Sequence, residues 1–142
     1  MARTALFTIG YEGRALDELI AILASHGIER VIDVRELPLS RRRGFSKTPL
    51  GDALGAAGIE YVHVRAAGNP YRRLKDEIPR DELLAKYKAH IAKAHDAVAA
   101  VVDEARGHRV ALLCYEADPD QCHRSLLAPR IAKQLRTSVR NL

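Results

Sequence analysis

Two thiols, an imidazole, a guanidinium and three carboxylates fall within the eleven residues from Cys114 to Arg124. A cysteine beside a histidine is the raw material of a nucleophile, because only the thiolate attacks and a nearby base or positive charge favours that form. Cys122 and His123 have that adjacency, and Cys114 is the other thiol. Glu116, Glu12 and Asp33 are candidate general acids or bases. Arg35, Lys47 and Arg124 offer donors for phosphate or carboxylate, the arginines in bidentate geometry. Tyr11 can stack on a ring or donate its hydroxyl, and Phe45 either anchors its loop in an apolar pocket or covers a bound base. Against these roles stands a plainer one in which both cysteines are small buried hydrophobes and His63 is a hydrogen-bonded core residue.

Known reaction templates narrow the choice. A tyrosine-phosphatase loop needs an arginine six positions after its cysteine, and the residue six after Cys114 is Asp120. A rhodanese-like loop surrounds its cysteine with small residues and amides rather than carboxylates. A zinc site from Cys114, Cys122 and His123 matches no usual paired-cysteine spacing and must borrow a fourth ligand, for instance His63, so no metal is expected. No Walker loop occurs, and Gly10-Tyr-Glu-Gly13 is a poor dinucleotide fingerprint, lacking a third glycine. No cofactor is expected.

The elements that must position these groups alternate. Leu6 to Gly10 reads as a first strand, followed by a helix with Leu16, Leu19, Ile20 and Leu23 on one face and Gly27 at its end. Arg30 to Val34 is a second strand. Thr48 is placed to cap a helix that begins at Pro49 and ends near Gly58. Glu60 to Val64 is a third strand, and Arg65 to Pro79 a long loop with several bases. One long helix then runs from about Pro79 to Gly107, with Leu84, Tyr87, Ile91, Ala94, Val98 and Val101 as its stripe. At 1.5 Å per residue it is about 40 Å long, more than a domain of this size needs, which favours a homodimer.

A fourth strand, Arg109 to Cys114, leads into a last helix from about Pro119 to Leu135, with Asp118 and Gln121 at capping-box spacing. Cys122 then falls in the first turn, where the helix dipole lowers a thiol pKa, while Arg124 lies near the inward stripe of Leu127, Ile131 and Leu135. Cys122 lies almost opposite that stripe, and Pro129 can kink the helix. Strands alternating with helices specify a single α/β domain over residues 1–142. Its three layers are a mostly parallel sheet of about four to five strands with helices on both faces. The strand ends then pool Tyr11, Glu12, Asp33, Arg35, His63, Cys114 and Glu116 at one edge, where open α/β sheets bind ligands. Asp33 and Arg35, two apart, share a face.

Charge is concentrated. From Arg35 to Lys47 five bases face the single acid Glu36, so +4 of the net +5 sits in this one loop. Ser40, Arg41, Phe45 and Lys47 are its candidate binding residues, and the expected partner is an anionic small molecule or a nucleic acid. The N-terminus lacks the apolar core of a signal peptide, and the longest apolar run, Ala97 to Val102, is too short to span a bilayer. Two cysteines are too few for a disulfide framework, so a cytoplasmic protein without membrane attachment is expected.

Thr8-Ile-Gly-Tyr-Glu-Gly13, Asp33-Val-Arg35 with Pro38 and Ser40, Gly44-Phe-Ser-Lys47, and Cys114-Tyr-Glu116 followed by Cys122-His-Arg124 resemble, in order and content, the domain-of-unknown-function family 488. The resemblance runs from about Thr8 to about Leu135. It implies a small α/β domain with these residues grouped in one cleft and supplies no reaction. Members often continue beyond the point where this chain closes with the basic tail Arg136 to Leu142, so any function of such an extension is expected to be absent. The residues themselves favour an enzyme that hydrolyses or transfers a group on a phosphate-bearing substrate. A non-catalytic nucleic-acid-binding module is the competing expectation, weakened by an aromatic content of 5%. A small-ligand sensor is a third.

Overall fold

The computed structural model describes residues 3–142; Met1 and Ala2, part of the stretch read for a leader, lie outside the described residues. Five strands form one all-parallel sheet: β1 (Ala5–Gly10), β2 (Arg30–Asp33), β3 (Glu60–His63), β4 (Arg109–Cys114) and β5 (Val139–Asn141). Their order is β3-β2-β4-β1-β5. β4 is buried along its length after Arg109, as its unbroken apolar run requires of a strand covered on both faces.

The helices α1 (Leu16–Ser25) and α2 (Lys47–Ala56) cover one face, where Leu19, Leu23, Leu50 and Leu54 pack on Phe7, Ile9, Val31, Ala111 and Leu113. The helices α3 (Arg80–Lys93), α4 (His95–Ala105) and α5 (Arg124–Leu135) cover the other, with Tyr87, Ile91, Val98, Val101, Leu127 and Ile131 against Leu6, Ile32, Val110 and Leu112. This is the expected three-layer α/β domain. β1 hands its chain to one layer and β4 hands its chain to the other, so a crevice opens between their C-terminal ends.

Several boundaries differ from the sequence reading. The single long helix is two: Ala94 leaves helical geometry (φ −88°, ψ 59°), ending α3 and starting α4. The amphipathic spacing carries across the break because Ile91, Ala94 and Val98 all face the same core. The 40 Å length that favoured a homodimer is therefore not present. The loop 65–79 contains 3-10 turns at Arg65–Ala67 and Arg72–Leu74. α2 starts at Lys47 with Ser46, not Thr48, at its N-cap. The basic tail folds into β5, too short and polar to announce itself, held by Leu142 N–H donating to Thr8 O at 2.8 Å and by Thr8 Oγ1 bonding Asn141 Oδ1.

The last helix is also interrupted. A 3-10 turn, Pro119–Gln121, is capped by Asp118, whose carboxylate accepts from Asp120 N–H at 2.9 Å. Cys122 is extended (φ −123°, ψ 145°), and α5 begins only after His123. Cys122 is thus outside the first helical turn and buried rather than outward-facing. Gly10 permits the whole arrangement: a Cβ there would sit 1.8 Å from the Glu116 carbonyl oxygen. Gly10→Ala must push the β4–α5 connection off β1, and overpacking of this kind typically costs about 1–3 kcal/mol. Urea denaturation of that variant should show a lower midpoint with an unchanged slope, whereas Gly55→Ala, with open space around it, should not.

Candidate functional site

A cleft of about 1010 Å³ lies at the C-terminal ends of β1, β2 and β4, at the upper end of ligand-pocket sizes. One wall is the segment 35–46, a second is 69–84, and the floor is Cys114 to Glu116 with His123. Gly68 lets the two walls meet, since a Cβ there would lie 2.2 Å from the Glu36 backbone nitrogen.

On the α1/α2 side, one buried ion pair organises the wall. Asp33 is 0% exposed and accepts from Arg35 Nη2 at 2.7 Å and Nε at 2.9 Å, from Arg35 N–H at 3.0 Å, and from the Tyr61 hydroxyl at 2.5 Å. Arg35 Nη1 reaches onward to Phe45 O at 2.7 Å and Tyr11 Oη at 3.3 Å. Burial works against the Arg35 charge, but Asp33 outweighs it and its pKa is raised. Burial and the Asp33 carboxylate raise the Tyr61 pKa as well. Phe45 stacks on Tyr11 with centroids 4.7 Å apart and has the Arg42 guanidinium carbon 4.8 Å from its ring centroid. Of its two expected roles, the anchoring one is the one its burial allows. Arg42 donates to Tyr11 O and Arg14 O, closing the loop over β1.

On the α3/α5 side, Cys114, Cys122 and His123 form a buried cluster whose ligand atoms all lie within 4.8 Å of one another. His123 Nε2 donates to Val34 O at 2.9 Å, which turns Nδ1 towards Cys114 Sγ at 3.6 Å and Cys122 Sγ at 3.8 Å. Glu116 Oε2 lies 3.7 Å from Cys114 Sγ. Tyr87 packs edge-on against the imidazole at 4.8 Å.

The sequence candidates separate accordingly. Tyr11, Arg35, Ser40, Arg41, Cys114, Glu116 and His123 line the cleft. Asp33 does not: every oxygen is committed to Arg35 and Tyr61, which leaves no role as an acid or base. Arg124 is fully buried and holds the β4–α5 connection by donating to Glu116 O at 2.6 Å and Ala117 O at 3.2 Å, so it positions Glu116 rather than meeting a ligand. Burial raises the Cys122 thiol pKa well above the ordinary value, the opposite of a dipole-activated nucleophile, and Cys122 does not line the cleft. Glu12 accepts from Ala117 N–H at 3.0 Å, and His63 Nε2 lies 2.7 Å from Arg35 O; both support loops. Lys47 is exposed at the start of α2, away from the cleft lining.

The cleft also holds residues that sequence reasoning missed. Arg72, Lys75 and Arg80 come from the segment taken for a plain loop and the helix after it, and Tyr115 exposes 43% of its surface while its ring meets Tyr11 edge-on at 5.3 Å. The bases of that loop were the available signal. Six cations line the cleft against Glu36, Asp76 and Glu116. Arg72 pairs with Glu36 at 3.1 Å and Arg80 with Glu116 at 3.3 Å, while Arg41 and Lys75 remain exposed.

Two variants test the Asp33 hub. Asp33→Asn strands the buried Arg35 charge and should cost about 3–5 kcal/mol in chemical denaturation. Tyr61→Phe removes one hydrogen bond and should cost about 1–3 kcal/mol. Because folding raises the Tyr61 pKa, its contribution is complete below about pH 10 and is lost as pH climbs towards the folded value. The stability gap between wild type and Tyr61→Phe should therefore narrow above pH 10 and stay constant between pH 7 and 9.

The family model described as Domain of unknown function DUF488 matches residues 15–131. That span holds both cleft walls and the Cys114–Arg124 segment, whereas Gly10 and Tyr11 precede it. No curated protein and no solved structure matches the chain. No helix among the described residues is long and apolar enough to cross a membrane.

Proposed function

The chain belongs to the DUF488 family, a membership that assigns no reaction, and from its cleft we propose an enzyme that hydrolyses or transfers a group on a phosphate-bearing substrate of nucleotide type. The observation that carries this reading is the pairing of a cation surplus with an aromatic surface in one cleft. Arg41 and Lys75 face the opening with no carboxylate partner among the described residues and are the phosphate contacts. Tyr115, backed by Tyr11 and Phe45, offers a half-exposed ring on which a base stacks. Leu37 and Leu39, 39% and 63% exposed, extend the apolar rim. Glu116 is the general acid or base: it lies on the floor, and Arg80 at 3.3 Å and the Arg124-held backbone fix its position.

A panel of nucleosides, nucleotides and inorganic phosphate, read by thermal shift, tests this directly, since a ligand of the native state raises Tm. Nucleotides should raise Tm and nucleosides should not. Arg41→Ala and Lys75→Ala should each weaken binding by about tenfold, matching about 1.4 kcal/mol for a charge-assisted contact. Glu116→Gln should keep binding and lose turnover by about 10²-fold or more. Full turnover in Glu116→Gln, or nucleotide binding indifferent to both cation variants, would remove the reading.

One observation favours a second reading. Arg43 and Lys47 are exposed outside the cleft lining and, with Arg41, make a stripe of exposed bases along one stretch of the chain. A nucleic-acid strand would use that stripe, and its affinity would then fall steeply with added salt.

A further inference from the structure

We infer that Cys114, Cys122 and His123 are the three protein ligands of a zinc-class divalent ion, with the fourth coordination position facing the cleft beside Glu116. The spacing of these residues in the chain matches no usual zinc pattern, and for that reason the sequence alone argued against a metal. The fold supplies what spacing conceals. Cys114 ends β4, while Cys122 and His123 return to it from the far side of the 3-10 turn.

The separations of the imidazole nitrogen from the two sulfurs suit a tetrahedral ion. For Zn–S of about 2.3 Å and Zn–N of about 2.05 Å, tetrahedral angles place sulfur and nitrogen about 3.6 Å apart and two sulfurs about 3.8 Å apart. His123 Nδ1 lies 3.6 Å from Cys114 Sγ and 3.8 Å from Cys122 Sγ, and all three ligand atoms fall within 4.8 Å. Both sulfur–nitrogen separations are already close to the tetrahedral values, and an ion would set the sulfur–sulfur separation by drawing the two thiolates onto it. The imidazole is oriented for the task, because Nε2–H donates to Val34 O at 2.9 Å and turns Nδ1 towards both thiols. Metal-binding histidines characteristically carry such a partner on the other ring nitrogen.

Burial distinguishes the ligands. Cys122 is sealed behind the floor, whereas Cys114 and His123 line the cleft, so the fourth position opens towards a water or a substrate oxygen. Three protein ligands with one open position is the arrangement of catalytic rather than structural zinc. Glu116 Oε2, 3.7 Å from Cys114 Sγ, stands within reach of a group bound there. The site shares the cleft assigned above to a phosphate-bearing substrate, yet it rests on different side chains.

The test uses the full chain, purified under reducing conditions and stripped with a chelator. Zinc should bind at one ion per chain by elemental analysis, release protons on binding and raise Tm. Cobalt(II) in its place should give intense tetrahedral d–d absorption and a thiolate charge-transfer band. Cys122→Ser and His123→Gln should each lower zinc affinity by more than tenfold and weaken the cobalt spectrum. Both positions are buried, so far-ultraviolet circular dichroism must show each variant folded, and the wild-type stoichiometry and spectrum decide the matter if one is not. No uptake by the reduced wild type, a cobalt spectrum without thiolate character, or affinity unchanged in folded Cys122→Ser overturns the proposal. A Cys114–Cys122 disulfide whose reduction restores no zinc uptake overturns it in favour of a dithiol. Zinc uptake without nucleotide binding sinks the substrate reading alone, and nucleotide binding without zinc uptake sinks the metal alone.

Discussion

The wall of the cleft on the α1/α2 side depends on the Asp33–Arg35 pair. Two charges taken out of water are costly unless each finds its full set of partners. Here Asp33 receives the guanidinium, a backbone N–H and the Tyr61 hydroxyl, while Arg35 continues to Phe45 O and Tyr11 Oη. One ion pair therefore ties β2 to β3, to the basic loop and to the end of β1. It also spends the residues that look most reactive on paper: Asp33 has no lone pair free for chemistry, and much of the Arg35 charge is answered from below. What reaches solvent is a wall whose shape is fixed from beneath.

The opposite face of the sheet repeats this logic with softer groups. His123 is anchored by Val34 O, Arg124 by two carbonyls, and Tyr87 donates to Ala67 O at 2.8 Å while packing on the imidazole. Arg124 Nε finds no partner among the described residues, so this guanidinium is held by two nitrogens only. The two clusters meet at the cleft floor where β1 and β4 part, and again where His123 Nε2 donates to Val34 O between Asp33 and Arg35. Gly10 sets how closely they meet, because its missing side chain is the space into which Glu116 O fits.

Strand and helix alternation, the parallel sheet and the pooling of polar groups at one edge were legible because each rests on local pattern. The unbroken apolar run Val110 to Cys114, and apolar segments interrupted by a single polar residue at β1 (Thr8) and at the end of β2 (Asp33), leave little choice of element. Roles within the pool were less legible, because they depend on tertiary partners. Asp33 and Arg35 share a face as their spacing requires, and sharing it is what commits them to each other. Arg124 points inward as its helical phase suggested, but the 3-10 turn ahead of it brings the connection down onto its guanidinium. The same turn carries Cys122 out of the helix and into the core. Ala94 and β5 escaped for opposite reasons: the first interrupts a helix without disturbing its apolar spacing, and the second has too few residues to show any.

The pairing of β5 with β1 has a practical corollary. Parallel alignment of Leu6 with Val139 and Thr8 with Asn141 sends both strands the same way, so Leu142 finishes at the rim that bears the opening, whereas β1 starts from the opposite rim. An affinity handle or fluorescent reporter joined behind Leu142 would emerge at the same rim of the sheet as the cleft. Attached ahead of β1, the same appendage would hang from the far end of the barrel-free sheet, clear of whatever approaches.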